Sequence, residues 1–290
     1  MEPARTILRG EEGWPAGLSA IPDPPARLRL RGCLERGAER RVAVVGSRRP
    51  DRYGTDLTAE IARDLARAGI CVVSGGAEGI DAAAHQAALD AGGRTVAVLG
   101  TGIDVAYPAG HRGLFERIVR SGGALVSEYD DGTPGARWTF PRRNRLVSGL
   151  CEAVLVTRAG VGSGALITAA RAREQGIPVL AVPGDVREPG SAGPLELLRT
   201  GARVAASAGD VLDALGIAAQ LPLPAGVDVS DLDRDTSALL GALGRVPRHA
   251  DEVARAAGLA PGPALAGLLL LEIRGLCEQR PGHYFLRRGG

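Results

Sequence analysis

Residues 136–149, ARWTFPRRNRLVSG, set Arg137, Arg142, Arg143 and Arg145 around Trp138 and Phe140, with Asn144 among them. Flat rings interleaved with cations suit a bare polynucleotide. Each base stacked on an aromatic face gains roughly 1–3 kcal/mol whatever its identity. Arginine neutralises phosphates, so binding falls as salt rises. Aromatics make up only 3% of the chain, which gives their position beside arginines weight. The alternative is that Trp138 and Phe140 pin a loop onto the core while the arginines pair with Asp130 and Asp131.

Three glycine-rich turns offer phosphate sites. In VVGSRRPDRYG, Gly46 allows a tight turn, Ser47 offers a hydroxyl and Arg48 a bidentate cation. In VVSGGAEGIDAAAHQAAL, Ser74, Gly75, Gly76 and Gly79 precede a helix expected from about Ile80. In TRAGVGSGALITAA, Ser163 and Gly164 open another helix, whose free N–H groups and dipole favour an anion. Taken singly, each turn is equally well explained by chain reversal or close helix–sheet packing. Glu78 opposes a phosphate at the second turn. Asp81 and His85, four residues apart, read as a cap and its packed neighbour rather than an acid–base pair.

These turns need a scaffold that gathers them. Short apolar runs recur at 42–46, 70–74, 95–100, 124–128, 153–157, 178–184 and 202–206. Helical stripes lie between them, such as Leu57, Ile61 and Leu65, or Leu114, Ile118 and Val119. Alternating strands and helices, with strands apolar on both faces, predict a doubly wound parallel sheet. Its ligands bind at the carboxyl ends of the strands, where the glycine turns fall. Residues 217–233 lose the rhythm and read as a linker. Residues 234–290 read as three helices and a hairpin, a small winged-helix domain. Residues 1–40, rich in Pro and Arg, read as an irregular lead-in before the main domain of 41–216.

Composition narrows the chemistry. The chain has 290 residues and a net charge of +2, so a polyanion site must be a local patch. All 35 basic residues are arginine, which removes a P-loop lysine and Schiff-base chemistry. Cys33, Cys71, Cys151 and Cys277 are scattered, so neither a zinc site nor a disulfide framework is expected. No apolar run approaches a membrane span and the N-terminus lacks a signal core, so a cytoplasmic location is expected.

The motifs VAVVGSRRPDRYG, VVSGGAEGIDAAAHQAAL, GTGIDVAYP, FPRRNRLVSGL, SGALITAARAREQG and AVPGD, in this order, resemble the DprA/Smf family of DNA-processing proteins. The resemblance runs from about Trp14 to Leu215 and more faintly beyond. It implies an extended Rossmann-like domain that binds single-stranded DNA without strong sequence preference. It also implies a homodimer that loads RecA onto the strand in natural transformation and homologous recombination, with no catalysis and no cofactor. It assigns strand binding to Ser47 and Arg48, and phosphate contacts to Gly75, Gly76, Gly79, Ser163 and Gly164. Arg142, Arg143, Asn144 and Arg145 become the main basic contacts.

The chain departs from the family pattern at Glu78 and Arg158, and only the lead-in stands where a helical domain often precedes the Rossmann part. The third helix of the winged-helix segment, ALAGLLLLEIRG, carries one arginine and no other donor suited to base edges, so an accessory or protein-binding role is expected there. Its wing, with Arg280, Arg287 and Arg288, is suited to weak backbone contact. Two rival readings remain open at this point. One is a nucleotide phosphoribohydrolase, which needs a carboxylate beside a glycine turn. Here AGVGSGALIT has none, and Glu128 reads as an exposed carboxylate at a strand end. The other is a nucleotide sensor.

Overall fold

Runs such as RVAVV are β-branched and apolar on both faces, so they are stable only between two layers of helices. The computed structural model describes residues 3–34, 39–217, 232–244 and 246–287. It divides into two units, Met1–Leu221 and Pro222–Gly290.

The first unit runs β1 (Arg5–Leu8), α1 (Ala16–Ala20), β2 (Arg27–Gly32), β3 (Arg41–Val45), α2 (Arg52–Arg67), β4 (Cys71–Ser74), α3 (Ile80–Asp90) and β5 (Thr95–Val98). It continues with α4 (Arg112–Arg120), β6 (Ala124–Ser127), α5 (Thr139–Gly149), β7 (Ala153–Val156), α6 (Gly164–Glu174), β8 (Val179–Ala181), α7 (Ala192–Arg199), β9 (Arg203–Val204) and α8 (Ala208–Ala214). The sheet order is β1-β2-β6-β5-β4-β3-β7-β8-β9. Every pairing from β6 to β9 is parallel. The chain winds outward from β3 to β6, then returns to place β7 on the other side of β3. That reversal is the topological switch point of a doubly wound sheet.

Alternate residues of one strand feed opposite cores. Val42 and Val44 join Ile61 and Leu65 of α2, Ala84 of α3 and Val211 of α8. Ala43 and Val45 join Leu146 of α5, Ala165 and Ala169 of α6 and Leu197 of α7. Ser163 caps α6, accepting from Ala165 N, and Asp51 caps α2, accepting from Gly54 N at 2.8 Å.

The lead-in is not irregular. β2 pairs antiparallel with β6, and β1 with β2, so the edge of the sheet is built from it. RLRLRG alternates Leu28 and Leu30, both buried, with Arg27, Arg29 and Arg31, which pair with Asp130, Asp131 and Glu116. Period-two alternation is a strand signal, and the surrounding prolines and arginines obscured it. Leu18 and Ile21 pack beside Gly149 at the end of α5, which binds the lead-in to the element carrying the arginine cluster.

The second unit comprises α9 (Arg234–Ala242), β10 (Arg248–His249), α10 (Ala250–Ala257), α11 (Pro261–Ile273), β11 (Cys277–Arg280) and β12 (Tyr284–Arg287), with sheet order β10-β12-β11. Leu239, Val253, Leu268, Leu271 and Phe285 form its own core, and the arrangement is a winged helix. Leu269, Leu270 and Ile273 leave α11 an exposed apolar face. Arg280 pairs with Glu278 in the wing, while Arg288 lies outside the described residues, as does most of the expected linker. No single described helix is long and apolar enough to cross a membrane.

Candidate nucleic-acid interface

A cleft of about 720 Å³ opens at the carboxyl ends of the strands, across the switch between β3 and β7. Ser47, Arg48 and Arg49 reach it from the turn after β3, and Gly75 from the turn after β4. Arg137 comes from the segment leading into α5 and Phe140 from its first turn, while residues 160–165 come from the turn before α6 and its first residues. Arg143, Asn144 and Val147 of α5 form its floor.

The turns lock one another. Ser47 N donates to the Arg158 carbonyl at 2.6 Å, and the Ser47 carbonyl accepts from Ile80 N at 3.0 Å. Gly79 has φ +76°, and a Cβ there would strike the Ser47 carbonyl, so this crossing requires glycine. Ser47 Oγ accepts from Arg49 N at 3.1 Å, which leaves its O–H to donate outward. Asn144 Nδ2 donates to the Gly164 carbonyl at 3.1 Å and fixes the start of α6. The first turn of α6 stands at the cleft wall, with Ala165 N donating to Ser163 Oγ and Leu166 N to the Ser163 carbonyl at 3.0 Å.

The cations and rings form one mouth. Arg48 lies 5.4 Å from the centre of the Phe140 ring, and Phe140 leans on Tyr107 with centroids 5.0 Å apart. Arg48, Arg49 and Arg137 are exposed, and among the described residues none has a carboxylate partner. Arg158, by contrast, is buried. Its guanidinium grips Asp51 and Ser191 and faces the Tyr53 ring at 5.2 Å. It holds the turns in place and adds no free charge to the mouth.

The arginine cluster does not act as one ledge. A helix turns about 100° per residue, so neighbouring side chains of α5 part company. Arg142 points out beside Glu128, with Nε 3.6 Å away, and does not line the cleft. Arg143 is only 5% exposed. Its guanidinium donates to the carbonyls of Gly75 and Val98 and, through Nε, to Asn144 Oδ1 at 3.2 Å. Burial lowers its pKa to about 10, against the pull of Asp81. Arg145 is sealed between Asp23 and Glu128, at 3.0 and 2.7 Å, on the side facing the lead-in. Glu128 is therefore a buried partner, its side chain 7% exposed, and not a free strand-end carboxylate. Asp130 and Asp131 are taken by Arg27 and Arg29, so the α5 arginines do not pair with them. Trp138 is 61% exposed and meets Tyr129 edge-on, outside the cleft lining.

Two further candidates sit behind the wall. Ser74 is buried and donates to the Val44 carbonyl at 2.7 Å. Gly76 is backed by the Phe115 ring, and its carbonyl accepts from His111 at 3.0 Å. Asp81 accepts from Gly75 N and Ala77 N, at 3.1 and 3.3 Å, and burial raises its pKa although Arg143 opposes. It shapes the turn and makes no pair with His85, which bonds Thr95 instead at 2.6 Å. Sequence reasoning gave no role to Tyr107. The signal was an aromatic in the GTGIDVAYP motif of a chain poor in rings.

An open α/β sheet with a cationic cleft at its switch point, joined to a winged helix, is the architecture of a recombination-mediator class. The model for DNA recombination-mediator protein A matches residues 5–216, and that for the DprA winged helix domain matches residues 223–283. A putative DNA processing protein DprA of Mycobacterium tuberculosis is 44% identical over 305 aligned positions, covering 99% of this chain and 78% of that protein. Protein Smf of Escherichia coli is 37% identical, covering 97% of this chain and 77% of its own length. The X-ray structure of Streptococcus pneumoniae DprA superposes with TM-score 0.68 at 39% identity, covering 72% of this chain and 73% of that one. A Helicobacter pylori DNA processing protein A structure, described for its single-stranded DNA binding mode, gives TM-score 0.66 at 30% identity, covering 74% of this chain and 96% of that one. The chain belongs to the DprA/Smf family of DNA-processing proteins.

Proposed function

We propose that this chain binds single-stranded DNA along the cleft without strong sequence preference and passes the strand to RecA as a homodimer, during natural transformation and homologous recombination. The observation that carries the binding step is the mouth where Arg48 stands over the Phe140 ring and Arg49 and Arg137 line the same cleft, beside the start of α6, none of the three with a carboxylate partner among the described residues. Cations take the phosphates, the ring takes a base and nothing in that pairing reads sequence. Handover to RecA and dimer formation are proposed on the resemblance to the family and on no contact within this chain.

The reading treats the protein as a binder and not an enzyme. A phosphoribohydrolase needs a free carboxylate beside a phosphate-holding turn; Asp81 is committed to backbone N–H groups and Glu128 to arginines, which leaves Glu78 as the carboxylate such chemistry would have to use. Release of free base from nucleoside monophosphates by the purified protein would overturn this part.

The binding test is a salt titration of single- and double-stranded oligonucleotides by fluorescence anisotropy. Three free cations give a slope of log K against log salt of about −2 for a single strand. Arg48→Glu with Arg137→Glu lowers the affinity and brings the slope to about −0.7 or shallower. An unaltered affinity and slope in that variant, with the fold intact, sinks the proposal.

A further inference from the structure

A side slot opens from the cleft, lined by Arg48, Gly75, Glu78, Gly100, Tyr107 and Phe140. Arg48, Gly75, Tyr107 and Phe140 also line the main cleft, so the slot begins where the ring pair stands. Glu78 is exposed there, and among the described residues it has no cationic partner. A carboxylate at this position weakens the hold on a phosphate backbone, so it needs another use. A strand whose phosphates follow Ser47 and the α6 terminus has its bases free to turn toward Phe140 and Tyr107. Glu78 then meets base edges, not phosphates.

We infer that Glu78 makes this slot a nucleobase subsite that favours guanine. A carboxylate only accepts hydrogen bonds and does so best in parallel pairs. Guanine alone presents two adjacent donors, N1–H and N2–H, on its Watson–Crick edge. Adenine and cytosine each set one amino group beside a ring-nitrogen acceptor, which repels the second carboxylate oxygen. Thymine flanks its single N3–H with two carbonyls. The ranking is therefore guanine first and thymine last, as a bias laid over sequence-tolerant binding. The inference rests on the single-strand reading above.

The test compares d(TTTG), d(TTTI) and d(TTTA) repeats of equal length, in lithium buffer to suppress quadruplexes, by competition anisotropy against a labelled dT oligonucleotide. The wild type is expected to prefer the guanine repeat over the adenine repeat by about five- to tenfold, the net worth of one further solvent-exposed hydrogen bond. Inosine, which lacks the 2-amino group, falls between them. Glu78→Ala binds the dT probe more tightly, because a negative charge is gone from the mouth, and its guanine-to-adenine ratio falls to about one. Purine stacking survives in that variant, so the ratio isolates the carboxylate. Equal ratios in wild type and Glu78→Ala overturn the inference while leaving the strand-binding proposal standing. Failure of the wild type to bind any of these oligonucleotides overturns both.

Discussion

Replacing Arg143 separates a residue that builds the cleft from one that touches DNA. The sequence suggests that Arg143 is a direct phosphate contact whose loss spares the fold, whereas in the structure it holds two turns together. Arg143→Met keeps the apolar stem and removes the guanidinium. The carbonyls of Gly75 and Val98 lose their donor, and buried Asp81 loses the cation that offsets it. Breaking a buried pair in this way costs about 3–5 kcal/mol. At a typical urea dependence of ~2–3 kcal/mol per molar, the midpoint falls by roughly 1–2 M. Both tryptophans of the chain, Trp14 and Trp138, lie in the first unit, so intrinsic fluorescence follows that unit alone. Adding Asp81→Asn removes the stranded carboxylate and restores part of the loss. A drop below about 1 kcal/mol, accompanied by more than tenfold weaker DNA binding, would falsify the structural role and return Arg143 to the ligand.

Other expectations are narrower. Phe140→Ala loses one stacking face, about 1–3 kcal/mol of strand affinity, while Phe140→Leu keeps the packing against Gly100 and Gly135 yet binds as weakly; equal binding by Phe140→Leu and wild type rules out stacking. Arg158→Met strips Asp51 and Ser191 of their cation and lowers stability by roughly 1–3 kcal/mol, with a smaller effect on the salt slope than Arg48→Glu. His85 supplies an acid-sensitive element. Thr95 Oγ1 donates to the Val72 carbonyl, so His85 Nδ1–H donates to Thr95, and Nε2 is left buried without a partner. Burial, helped by His111 and Arg143, lowers its pKa to about 3 from 6.5. Between these values the unfolded chain binds a proton that the fold refuses, so stability falls as pH drops from 6.5 toward 3. His85→Phe flattens that slope by up to about 1.4 kcal/mol per pH unit, read from urea midpoints at pH 7 and pH 5.

Local chemistry alone determined much of this protein. The apolar runs at 42–46, 70–74 and 153–157 became β3, β4 and β7 because a β-branched segment without polar alternation has to be covered on both faces. Ser163 and Gly176 bracket α6 through capping and a break in helical backbone, both set by neighbouring residues. The glycine turns were legible for the same reason. What each arginine of 136–149 does was not. Adjacent positions on α5 face solvent, the sheet and the lead-in in turn, and the sequence shows their charge but not their direction. The partners that silence Arg145 and Arg158, Asp23 and Asp51, lie more than a hundred residues away. Only the folded chain brings such distant charges within a few ångströms, and burial then separates the guanidinium groups that shape the cleft from those left exposed at its mouth.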